Sequence, residues 1–130
     1  MPNEYFNDTL RLAAKLEGRG DHADAITAMV PWASWNLEPF ENTILAYNLA
    51  QMFLKTGQPD EALMWFDWGI EHERTLRRTF VAEHRAAMLF EQGRRAEAAQ
   101  AWRELLATGW LEEKSRAMVE NNLRVAQSGA

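Results

Sequence analysis

The chain has 130 residues, which is enough for one domain with a buried core. Although 47% of it is hydrophobic, no apolar run approaches the roughly 18 residues of a membrane span. The absence of cysteine excludes disulfides and thiolate metal sites, and the net charge of −5 argues against nucleic acid as a partner. The first residues lack the basic and apolar segments of a signal peptide, so we predict a cytoplasmic protein.

Apolar residues recur at spacings of three and four along most of the chain, which predicts an all-α fold of seven helices. Gly109 is expected to end the sixth helix, and Pro59 is expected to open the fourth. In chain order the predicted helices cover about residues 4–17, 21–34, 40–56, 59–73, 76–92, 96–108 and 111–127.

One short pattern occurs three times, and each copy has a glycine followed five positions later by an alanine. The glycines are Gly20, Gly57 and Gly93, which lie 37 and 36 residues apart. A period of this length is typical of stacked helical hairpins. Small residues such as Ala50 and Ala62 are expected where two helices cross closely. We predict the core of the first copy to include Leu12, Ala13, Leu16, Ala25 and Met29.

The middle copy, from Tyr47-Asn48-Leu49-Ala50 through Gly57 to Asp60-Glu61-Ala62 and Phe66, resembles the tetratricopeptide repeat (TPR) family. The resemblance implies a right-handed α-solenoid in a single domain over residues 1–130. Its three antiparallel hairpins would cover about residues 4–37, 42–75 and 78–110, followed by a capping helix at about 111–127. We expect Met118, Leu123, Val125 and Ala126 to form the buried side of that cap.

The resemblance also implies where a partner would bind, because the first helix of each hairpin lines a concave groove in this family. Amide side chains in the groove can bond a peptide backbone, and aromatic side chains offer apolar contact. The groove residues that the resemblance implies are Arg11, Tyr47, Asn48, Gln51, Lys55, Phe80, Glu83 and His84.

Catalytic and metal-binding patterns are lacking. The three histidines, His22, His72 and His84, are not spaced as metal ligands, and no serine lies in a nucleophile-elbow pattern. We therefore predict that the protein is not an enzyme and has neither a metal nor another cofactor.

Three features each allow two interpretations. Pro31 would break the second helix, which either makes the first repeat irregular or exposes Trp32 or Trp35 as a contact surface. The pair Trp65 and Trp68 either packs between repeats or forms an aromatic patch for a partner. Three arginines form either a solvated turn or an anchor for an acidic partner: Arg74, Arg77 and Arg78.

These features predict a protein-protein interaction module that holds a peptide segment of a partner in a concave groove. One alternative is a scaffold that self-assembles into a homo-oligomer through aromatic and apolar faces. The other is a small chaperone of the secretion type. The sequence does not choose among the partners that such repeats can bind.

Overall fold

A computed structural model describes residues 3–128, and within this range the fold is all-α, as predicted, with seven α-helices and no strand. The described residues divide into two units, with the boundary between His72 and Glu73. The helices are α1 (Glu4–Gly18), α2 (His22–Met29), α3 (Pro39–Lys55), α4 (Pro59–Arg74), α5 (Phe80–Glu91), α6 (Arg95–Thr108) and α7 (Glu113–Gln127). Neighbouring helices pack on one another within each unit, which is consistent with a helical repeat. The single domain and the right-handed twist stay predictions.

The three glycines of the repeat occupy the same turn in each hairpin. Their φ angles are +80° at Gly20, +72° at Gly57 and +78° at Gly93, a left-handed conformation that residues with a Cβ rarely adopt. Each glycine N–H donates to the carbonyl three residues back, at 3.0, 3.1 and 3.0 Å. The N–H of the next residue donates to the carbonyl five residues back, at 2.8 Å in all three copies. This pair of bonds is the Schellman motif, so each first helix ends in the same way.

The packing on both sides of these turns also repeats. Seven residues before each glycine, and again five residues after it, a small side chain lies buried between helices. A large side chain nine residues after each glycine is buried beside them. The equivalent sets are Ala13, Ala50 and Ala86, then Ala25, Ala62 and Ala98, and finally Met29, Phe66 and Trp102. Alanine lets the helix backbones approach closely, and the larger residue fills the remaining volume to the usual packing density.

The second helix is shorter than predicted because of Pro31. The α-helix ends at Met29, and the chain continues as a 3₁₀ helix over Val30–Ser34. Proline has no N–H to donate to the carbonyl four residues back, and its ring clashes with that carbonyl. The tighter 3₁₀ turn carries Trp32 inward and leaves the side chain of Trp35 60% exposed.

Two other predictions about the core are wrong in part. In α7 the prediction is confirmed for Ala126, which is buried, but Met118 and Val125 are 56% and 44% exposed, and Val119 is buried instead. Met118 and Val125 lie about 100° around the helix from Val119 and Ala126, on the neighbouring stripe. In α1, likewise, Leu12 is 49% exposed although its neighbour Ala13 is buried.

Candidate protein-binding surface

Helices α1 and α3 lie side by side and run parallel. At their N-terminal ends, the backbone N–H of Asn3 donates to Glu41 Oε2 at 2.8 Å. At their C-terminal ends, Lys55 Nζ donates to Glu17 Oε2 at 2.9 Å. Each contact joins residues 38 positions apart, about one repeat, so the two helices are held in register at both ends. The first helices of two successive hairpins therefore form a continuous surface.

Glu41 holds the N-terminal contact in place from within the protein. Its side chain is buried, and the same carboxylate accepts a hydrogen bond from the backbone N–H of Glu38 at 3.4 Å, which closes a capping box at the start of α3. One buried carboxylate thus serves the first turns of both helices. This arrangement sets the position of α3 relative to α1.

The predicted groove residues of α3 lie on one side of the helix, away from its buried residues Leu45, Leu49 and Met52. The side chains of Tyr47, Asn48 and Gln51 are half-buried, and Lys55 is exposed. Asn48 Nδ2 donates to the carbonyl of Ile44 at 2.8 Å, which fixes the orientation of the side-chain amide. Besides this donor, the amide carries an oxygen acceptor and a second N–H.

The charged groups at this surface are already paired. Lys55 Nζ and His22 Nδ1 lie 2.9 and 2.6 Å from the two oxygens of Glu17. Burial acts to raise the pKa of Glu17, but the hydrogen bonds from His22 and Lys55 outweigh it, so this pKa lies below its ordinary value. Arg11 on α1 is exposed and pairs with Asp8 at 2.6 Å. A ligand that binds here would contact charged side chains whose positions are fixed by these ion pairs. Lys55 could bind such a ligand only while its ammonium group also contacts Glu17.

The remaining predicted groove residues lie on one stripe of α5 in the second unit. Phe80 is half-exposed, and its ring meets the imidazole of His84 edge-on with 4.6 Å between centroids. Burial lowers the pKa of His84 below 6.5, so its imidazole is neutral at pH 7. Glu83 Oε2 accepts a hydrogen bond from Thr79 Oγ1 at 3.0 Å. The stripe combines an aromatic surface with a neutral imidazole and one carboxylate.

The prediction that α5 begins near Leu76 is wrong, and the residue responsible is Glu73. This carboxyl is 2% exposed; its two oxygens accept the backbone N–H groups of Val81 at 2.6 Å and Ala82 at 3.1 Å. These are the second and third residues of α5, whose own N-cap Thr79 makes no capping bond. Burial raises the pKa of Glu73, although the two backbone hydrogen bonds act to lower it. No capping-box spacing in the sequence could have revealed this cap, because it comes from the preceding helix.

The arginine cluster lies in the turn that Glu73 closes. Arg74 is the last residue of α4, and Arg77 has a φ of +53°, a left-handed value that is uncommon for a side chain other than glycine. The N–H of Arg78 donates to the Glu73 carbonyl at 3.3 Å. All three arginines are exposed, so the turn brings them together on the surface of the second unit.

The tryptophans of the first unit divide into packed and exposed side chains. Trp65 and Trp68 pack partly buried against the core, with 5.5 Å between their ring centroids, which favours packing over a partner patch. Trp68 also contacts His72, at a centroid distance of 4.5 Å. Trp35, by contrast, is exposed beside Trp32. The Pro31 break thus presents one tryptophan to the surface.

No protein-family model matches this chain, and a search of curated proteins gives no match either. Within residues 3–128, no helix combines the length and hydropathy that crossing a bilayer would require.

Proposed function

We propose that this chain is a TPR-like module that binds a peptide segment of another protein along the first helices of its hairpins. The observation that carries the proposal is the parallel pairing of α1 with α3, held by Asn3–Glu41 and Glu17–Lys55 contacts at the two ends. A peptide laid along such a surface meets the same kind of position once in each repeat. In keeping with the absence of cysteine, we place the activity in the cytoplasm.

The chemistry of the α3 stripe supports an extended or helical peptide as the ligand. The oxygen of Asn48 can accept a backbone N–H, and the amide of Gln51 can both donate and accept. Tyr47 supplies apolar surface with a polar end, a combination that is common in protein interfaces. Arg11 and Lys55 would contact acidic side chains. In the second unit, Phe80, Glu83 and His84 on α5 form a separate proposed contact. The Arg74, Arg77 and Arg78 turn is a second proposed contact, for an acidic residue of the partner.

The test starts from a random peptide library displayed on phage and selected on the immobilised chain. Titration calorimetry would then measure the affinity of each selected peptide for the wild type and for Asn48→Ala and Gln51→Ala. Each lost hydrogen bond is expected to cost about 0.5–1.5 kcal/mol, which is roughly a 2- to 12-fold weaker affinity.

The matched control is Asn121→Ala, which removes an exposed amide from α7. It should leave the peptide affinity unchanged. Circular dichroism of each variant establishes that it is folded. Peptides that bind the groove variants as tightly as they bind the wild type would contradict the proposed groove, and so would a library from which no peptide is selected.

A further inference from the structure

The outward side of α1 carries apolar side chains that the first unit does not bury. Tyr5 is 78% exposed and Leu12 is 49% exposed, and the two lie seven residues apart on one stripe. Their neighbours Phe6 and Ala13 form the adjacent stripe, which is buried in the core. Helix α1 therefore has an apolar stripe facing the core and a second one facing outward.

The Trp32–Trp35 pair borders the outward stripe. Trp32 Nε1 donates to Thr9 Oγ1 at 3.1 Å, and the two indole rings lie 5.1 Å apart. Thr9 follows Tyr5 by four residues and precedes Leu12 by three, so it lies one helical turn from both. Trp35, the residue that follows the 3₁₀ helix, is 60% exposed, so an exposed apolar side chain lies next to the one that contacts α1. Exposed apolar side chains that cluster on a surface commonly mark an interface.

The charges around the outward stripe are divided by sign along the helix. Glu4 and Asp8 lie in the N-terminal half of α1, whereas Lys15 and Arg19 lie at its C-terminal end. All four are exposed, and across the described part of the chain no ion pair engages Glu4, Lys15 or Arg19. Asp8 Oδ1 accepts a hydrogen bond from Arg11 at 2.6 Å.

This distribution complements itself when two copies of α1 lie antiparallel. Glu4 then faces Arg19 of the other copy, and Asp8 faces Lys15. In each pair, the point halfway along the sequence between the two residues lies between residues 11 and 12. One alignment of the two helices therefore forms both charge pairs and also brings the two Leu12 side chains together. A parallel pairing would instead place like charges opposite each other, which is unfavourable.

We propose that the outward face of α1, defined by Glu4, Tyr5, Asp8, Leu12, Lys15 and Arg19, is an interface between two copies of this chain. The two helices pair antiparallel about a two-fold axis beside Leu12, so the same surface is used on both copies. This goes beyond peptide binding, and the two surfaces adjoin: Leu12 lies about 100° around α1 from the proposed groove residue Arg11, whose side chain pairs with Asp8. Asn3 and Glu17, which contact α3, lie about 140–180° around α1 from Leu12.

The size of this face sets the expected strength of the dimer. A helix of 15 residues is about 22 Å long, which is short for a stable interface even when Trp35 widens it. Association should accordingly be reversible and concentration-dependent. Analytical ultracentrifugation of the wild type from low micromolar to millimolar concentration should show the mass rising from 15.0 kDa toward twice that value. A constant mass of 15.0 kDa over that range would overturn the proposal.

Two sets of variants then test whether the proposed face is responsible. Leu12→Glu should remain monomeric, whereas Met64→Glu, which changes a still more exposed apolar side chain on α4, should dimerise like the wild type. Lys15→Glu should weaken dimerisation at least tenfold, and the double change Asp8→Lys with Lys15→Glu should restore it. A dimer that is unaffected by Leu12→Glu, or a double variant as weak as Lys15→Glu alone, would refute this assignment.

The antiparallel orientation has its own test, because the sequence contains no cysteine and a single one can be introduced at will. Under mild oxidation, Leu12→Cys should form a disulfide-linked dimer, since the two-fold axis passes beside this residue. Glu4→Cys should not, because its two copies lie at opposite ends of the paired helices. Equal cross-linking of the two variants would show a parallel or random contact and overturn the model. Since neither change introduces a buried charge, this test stands even if Leu12→Glu fails to fold.

Discussion

Glu73 offers the sharpest test of how this fold is held together, because one side chain of α4 replaces the missing cap of α5. Replacing it with alanine removes the acceptor for the backbone N–H groups of Val81 and Ala82, which lie 2.6 and 3.1 Å from its oxygens. Val81 is completely buried, so its N–H has no access to water, whereas the half-buried Ala82 can be partly hydrated. The loss of stability in Glu73→Ala should therefore come mainly from the unpaired N–H group of Val81.

A buried donor left without a partner costs about 1–3 kcal/mol, and a lost helix cap costs about 0.5–2 kcal/mol. These two figures describe the same bonds and do not add. Removing a buried carboxylate also relieves its desolvation penalty, consistent with burial raising the pKa of Glu73. We expect Glu73→Ala to lower the free energy of unfolding by about 2 kcal/mol. Glu73→Gln should lower it by less, because its amide oxygen still accepts one of the two bonds.

The assay is urea unfolding followed by circular dichroism at neutral pH. The matched control is Glu91→Ala, which removes an exposed carboxylate from the end of α5 and should change the stability by no more than about 0.5 kcal/mol. If Glu73→Ala were as stable as Glu91→Ala, the capping role would be refuted.

The raised pKa of Glu73 adds a test by pH. The folded state holds the proton more tightly than the unfolded state, so the contribution of Glu73 is fully present below its unfolded pKa and is lost as pH rises through its folded pKa. Wild type should thus gain stability over Glu73→Gln on acidification from neutral pH to below 4.5. A stability difference that is constant over this range would contradict the inferred burial of the charge.

Three further results are expected. In urea unfolding, Gly57→Ala should lower the free energy of unfolding by about 1–2 kcal/mol because Gly57 has a left-handed φ. Gly18→Ala should raise the free energy of unfolding by about 0.5–1 kcal/mol. Equal effects of the two substitutions would contradict this reasoning. Phe66→Ala should cost about 3–5 kcal/mol in thermal unfolding, since the side chain is fully buried; a cost below 1 kcal/mol would place it outside the core. NMR titration of His84 should give a pKa below 6.5. Because the unfolded chain then binds the proton more tightly, the wild type should lose stability relative to His84→Gln as the pH falls from 6.5 to that pKa. If the imidazole were solvated, this loss of stability would be absent.

The sequence alone predicted the parts of this fold that depend on local chemistry. Gly20, Gly57 and Gly93 all adopt the left-handed conformation at helix ends, because only glycine does so without steric cost. The small and large residues at constant distances from them are buried as the period requires. The break at Pro31 also follows from the residue itself, since proline cannot continue the hydrogen bonding of a helix.

Tertiary contacts decided the rest, because these features depend on groups that are distant in sequence or equivalent in composition. In α7, apolar side chains occupy two neighbouring stripes, and only packing selects Val119 over Met118 for the core. The start of α5 depends on a carboxylate from the previous helix, and the pairing of α1 with α3 depends on contacts 38 residues apart. Hydrophobic periodicity measures how apolar each side of a helix is. It carries no information on which neighbour that side will meet.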